Sequence, residues 1–196
     1  MSEQPNDKVR VQREREFSPH HILIGAAQLA LERARKPEPG WLYDELVAMT
    51  FSAMALEALA NAFGERFVPR WKDYESASPI AKLRVVALQL KLADPDFSTA
   101  PWTFALWLIK FRNKVAHAKP ESIKFDATMS RADFQRMRLE LPKSKLELEI
   151  SLEHAERSLQ TVSSIFELMC KHAPQEKLPG LLFDSFSGTV SGEKKG

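Results

Sequence analysis

The chain has 196 residues, of which 44% are hydrophobic and 28% charged, with a formal net charge of +2 and a single cysteine. These values suit one soluble globular domain with a real core, and they exclude an internal disulfide or a cysteine-based zinc centre. Apolar residues do not run on for the ~18 positions that a membrane span needs, and the N-terminal stretch lacks an apolar signal core. The expected setting is therefore a reducing cytoplasm, away from membranes.

Residues 1–16 are polar and are expected to form a disordered tail. Ser18-Pro19 reads as an N-cap followed by proline in the first helical position. A helix should run from there through Leu23, Ala27, Leu31 and Ala34 to Pro37, where Lys36-Pro37-Glu38-Pro39-Gly40 breaks it. A longer helix rich in Ala, Leu and Met is predicted from Trp41 to Phe67, with Val68-Pro69 as its stop. A third opens at Ser78-Pro79 and runs to Leu92. A fourth spans Thr99-Ala100-Pro101 to His117, carrying Trp102, Phe104, Trp107, Leu108 and Phe111 at near-helical intervals.

After Pro120 the pattern changes. Ile123-Lys124-Phe125 and Leu146-Glu147-Leu148-Glu149-Ile150 alternate apolar and polar as strands do. Between them a short helix is predicted from Arg131 to Leu139, capped by Ser130 with Asp133. Residues 119–150 thus read as an insertion holding a small β-hairpin. A last long helix, Leu152 to His172, returns to the core through Leu159, Val162, Ile165, Phe166 and Met169. Cys170 falls in its apolar run and is expected to pack rather than react. Residues 185–196 are small and polar and are expected to be a flexible tail. The fold class is all-α: a bundle of four to five helices in one domain over 17–184, with the insertion at 119–150.

Charge is unevenly spread. Between residues 110 and 145 ten Lys and Arg face four acids. A basic block of that kind suits a polyanionic partner, or it merely keeps a solvated insertion soluble.

The sharpest window is Arg112-Asn113-Lys114-Val115-Ala116-His117, at the end of the aromatic-rich fourth helix. Arginine brings a permanent charge on a planar fork that matches phosphate oxygens. Histidine exchanges protons near neutral pH. The bland alternative is that both cap a helix, where cations favour the negative end of the dipole. Arg112 and His117 lie about 140° apart around a helix axis, so one straight helix cannot aim both at one point. Arg112 must use its length, local unwinding, or a second subunit in a two-fold site. Asn113 and His117 share a face, so Asn113 can orient the imidazole.

On the second helix, Glu57 and Asn61 interrupt a surface of Ala, Leu, Met and Phe. A carboxylate there is costly unless paired or solvated, and Arg112 is a natural partner. His20, His21 and His154 show no ligand spacing and read as surface or helix-start residues, so no metal or other cofactor is expected.

The run Met54-Ala55-Leu56-Glu57-Ala58-Leu59-Ala60-Asn61, followed on a later helix by Phe111-Arg112-Asn113-Lys114-Val115-Ala116-His117, resembles the HEPN superfamily. The likeness spans roughly residues 18–118 and the last helix. It implies a four- to five-helix HEPN-like bundle and a metal-independent endoribonuclease working as a homodimer. On this sequence it makes His117 the acid–base group and Arg112 the phosphate clamp. Asn113 then positions the histidine or the phosphate, Glu57 orients Arg112, and Asn61 supports. Lys114, Lys119 and Lys124 are expected to hold RNA backbone. A toxin or phage-defence role, with an antitoxin or other regulatory protein as partner, belongs to the same expectation. The alternative within the resemblance is a non-catalytic helical module that binds RNA, nucleotide or protein. An unrelated helical scaffold is a third reading.

Overall fold

The computed structural model describes residues 9–36, 38–92, 97–137, 141–182 and 185–192. Among them are seven α-helices and one two-stranded sheet. The helices are α1 (Pro19–Ala34), α2 (Trp41–Phe67), α3 (Pro79–Gln89), α4 (Trp102–Ala116), α5 (Arg131–Met137), α6 (Leu152–His172) and α7 (Pro179–Leu182). The strands are β1 (Val9–Glu16) and β2 (Ser185–Gly192).

The core is organised on α2. Its buried face carries Ala48, Met49, Ala53, Leu56, Leu59, Ala60 and Phe63, and α1, α3, α4 and α6 all pack against it. Small residues let α1 come close: Ala27 and Ala30 are fully buried. Gly64 lies under the indole of Trp71, where any Cβ would collide with the ring. From α4 and α6, Leu108, Phe111, Val162, Ile165 and Met169 complete the core. By length and composition α2 also suffices to cross a membrane, with an 18-residue window of mean hydropathy 1.5 that is half buried here. Thr50, Ser52, Glu57 and Asn61 interrupt that stretch, so it is not an unbroken apolar run.

The predicted bounds of α2 and α6 agree with the structure, and α1, α3 and α4 differ only at their ends. Ser18 stands at the N-cap of α1 but does not cap it; its hydroxyl donates instead to the Gly180 carbonyl at 3.0 Å.

Two expectations need correction. The tails are ordered where described: β1 and β2 pair antiparallel from Val9↔Gly192 to Glu16↔Ser185, while residues 1–8 and 193–196 lie outside the described residues. The β-hairpin at 119–150 is not formed. Among the described residues, 117–130 carry no helix or strand and Glu147–Glu149 is a 3₁₀ turn. The turn wins because Ser144 and Glu147 cap one another: the Ser144 N–H donates to Glu147 Oε2 at 2.7 Å, and the Glu147 N–H to Ser144 Oγ at 3.1 Å. The Ser144 backbone N–H, and after it the Ser144 hydroxyl, also hold the Glu147 carboxyl below its ordinary pKa. His20 stands at the start of α1, one of the two places expected for it, and is fully buried, with Nε2 3.2 Å from the Leu181 carbonyl. His154 is half-buried, with Nδ1 2.8 Å from the Glu149 carbonyl and its ring 4.7 Å from Trp107.

The short helix α5 forms as predicted from Arg131, with Ser130 Oγ accepting from the Asp133 N–H at 3.1 Å. Its predicted end at Leu139 lies outside the described residues.

Candidate functional site

Three helices bring the polar residues together. On α4, Trp102, Phe104, Ala105, Leu108, Ile109 and Phe111 are buried. That stripe anchors the helix and leaves Arg112 at the border between core and solvent. On α2, the buried neighbours Leu56 and Ala60 fix the orientation that turns Glu57 and Asn61 toward the same border. From α3, Lys82 approaches Glu57 from the other side.

Arg112 Nη2 donates to Glu57 Oε2 at 2.8 Å, and Lys82 Nζ donates to Glu57 Oε1 at 3.4 Å. One carboxylate is therefore shared by two cations. The side chains of Arg112 and Glu57 are 24% and 30% exposed, whereas that of Lys82 is only 7% exposed. Arg112 Nε is buried and, among the described residues, has no hydrogen-bond partner. Because Glu57 keeps access to water, the attraction is screened relative to a dry pair.

The cluster separates two adjoining grooves. A smaller one, about 490 Å³, has Leu23, Met54 and Val115 as apolar walls and Glu57, Asn61 and Arg112 as polar ones. A larger one, about 690 Å³, includes Lys82, Asn61, Glu65 and Glu75 in its wall. Ala58 and Asn61 border both.

The other predicted site residues stand apart from this cluster. Asn113 and His117 are exposed at the end of α4, and neither borders the smaller groove. The expected side-chain bond from Asn113 to the imidazole is not formed. The His117 N–H donates to the Asn113 carbonyl at 3.0 Å, which is helix-end geometry. Lys114 is engaged by Glu149 of the 3₁₀ turn in an ion pair, which draws its charge away from the role of a free RNA contact. Lys119 and Lys124 are exposed.

No family model, curated protein or solved structure matches the chain. Its chemistry is therefore argued from the site alone. Among the described residues, no three His, Cys, Asp or Glu side chains gather as a metal-ion site. Burial of Cys170, with Glu167 nearby, pushes its thiol pKa up, so the thiol stays protonated near neutral pH.

Sequence reasoning missed Lys82. A signal was present: Ile80-Ala81-Lys82-Leu83 puts a lysine in an apolar stretch, next to a position that repeats at Leu83 and Val86 as a helical core face.

Proposed function

We propose that the chain is a metal-independent endoribonuclease of HEPN type that acts as a homodimer. The observation that carries this reading is Glu57 holding Arg112 at 2.8 Å on the wall of an open groove. Such a contact fixes the guanidinium while leaving part of its donor fork for a phosphate. His117 supports the reading by its exposure at the same end of α4. Since Arg112 and His117 make no contact within one chain, a second copy supplies the way for both to reach one phosphodiester.

In the proposed reaction the RNA 2′-oxygen attacks the adjacent phosphorus. An imidazole takes the 2′-hydroxyl proton as the O2′–P bond forms. The P–O5′ bond breaks and the leaving O5′ receives a proton from the other copy's imidazolium. The products are a 2′,3′-cyclic phosphate end and a 5′-hydroxyl end. Arg112 stabilises charge on the non-bridging oxygens in the transition state, and proton transfer by a positioned histidine contributes about 10²–10⁴-fold.

The test is incubation of the purified chain with single-stranded RNA in EDTA. Cleavage leaving cyclic phosphate ends is expected, with His117→Ala slower by about 10²-fold or more and Arg112→Ala similarly impaired, both with unchanged circular dichroism. A second reading, a non-catalytic RNA-binding module, draws on the separation of Arg112 from His117 in one chain. RNA binding without cleavage selects it.

A further inference from the structure

Arg112 and Glu57 alone make a neutral pair, and a neutral pair gives a polyanion little reason to bind. Lys82 changes that count. It contacts the same carboxylate through the other oxygen, Oε1, so two cations and one anion leave the cluster with a charge of +1. Its surroundings keep that charge local: the Lys82 side chain is 7% exposed, so water screens it weakly. The larger groove is lined by three carboxylates, Glu16, Glu65 and Glu75, against the cations Arg66 and Lys82, and Arg66 is already paired with Glu16, so the excess of carboxylates there disfavours an anion. Among the described residues, the charged ones that line the smaller groove are Glu57 and Arg112. The favourable seat for an anion is therefore against Arg112, in the smaller groove.

We infer that Lys82 is a positioning residue that supplies the net positive charge of this seat. The ligand is one phosphodiester of single-stranded RNA, a ligand class that rests on the function proposed above. Lys82 fastens Glu57 Oε1 and neutralises it, so that Arg112 can remain on Oε2 and still bind phosphate. Lys82 itself stays behind Glu57 and touches no RNA.

The test uses the full chain and a fluorescein-labelled 2′-O-methyl oligouridine, which binds but cannot be cleaved because its 2′-oxygen is blocked. Lys82→Met keeps the aliphatic stem and removes the charge. It should weaken binding by about tenfold at low salt, the scale of one weakly screened charge, and raise KM more than it lowers kcat on cleavable RNA. The decisive variant is Lys82→Met with Glu57→Gln. It restores the +1 count and keeps an oxygen for Arg112, so binding should return toward that of the unmodified chain.

Unweakened binding by Lys82→Met overturns the inference. So does weakened binding that the double change fails to rescue, because lost packing does not respond to charge count. If the unmodified chain binds the oligonucleotide and shows this pattern but never cleaves RNA, the charge role stands and the nuclease reading falls. If it cleaves RNA and Lys82→Met is indifferent, the reverse holds. No binding by the unmodified chain overturns both.

Discussion

Single residues in this chain matter most where charge meets burial. Glu45 on α2 is 3% exposed, and its Oε2 has no hydrogen-bond partner among the described residues. Desolvation pushes its carboxyl pKa up, opposed by the Leu152 backbone N–H and by Lys143. A raised folded-state value means that the folded chain holds the proton more tightly than the unfolded one. Stability from this group is thus full below the ordinary carboxylate range and is lost as pH rises through the raised value. Glu45→Gln removes the charge and keeps an acceptor for Leu152. Thermal melts should show a higher Tm for this variant at pH 7 and no gain at pH 4; a lower Tm at pH 7 would contradict the assignment. Glu57 differs because two cations meet it. Its need for a partner could be read from a carboxylate on an apolar helix, and Arg112 proved to be that partner. Lys82 was harder to foresee, since a lysine on an amphipathic helix ordinarily snorkels into solvent.

At the scale of elements, local signals were strong wherever a helix carries its own start and stop. Proline opens α1 and α3 in the first turn, and α6 begins at Ser151, whose Oγ accepts from the His154 N–H at 3.1 Å. Ser151→Ala should cost about 1 kcal/mol, the usual value of such a cap, measured by urea denaturation. An unchanged midpoint would mean that α6 is held by packing alone. The strands show the opposite case. Every residue of β1 is exposed, so Val9-Arg10-Val11-Gln12-Arg13 has no buried face to write into the sequence. Its backbone partner lies at the far end of the chain. Leu146-Glu147-Leu148-Glu149-Ile150 erred the other way: alternation suggested a strand, but no partner strand meets it and mutual Ser144–Glu147 capping closed a turn instead.

Across the whole molecule, the basic block from 110 to 145 begins on α4, next to Arg112, and continues into the segment that follows it. Some of its charge is already spent internally, Lys114 on Glu149 and Arg136 on Asp133. Lys119 and Lys124 remain exposed in the segment after α4. If they contact RNA backbone, replacing both by glutamate should weaken RNA binding and flatten its dependence on salt by about 1.4 in log–log slope, near 0.7 per phosphate contact on single strands. Anisotropy titrations across a salt series measure this. A slope that does not move would assign these lysines to solubility alone.

Helix positions, the break at Pro37–Gly40 and the pairing need of Glu57 were written locally, because 3.6-residue periodicity, caps and prolines act within a few neighbours. The strand pairing of the two ends, the burial of His20 and the meeting of Lys82 with Glu57 and Arg112 depend on which helices pack side by side. That choice belongs to the assembled core: the two cations lie 25 and 55 residues from Glu57, and at such separations only helix packing brings side chains within bonding distance.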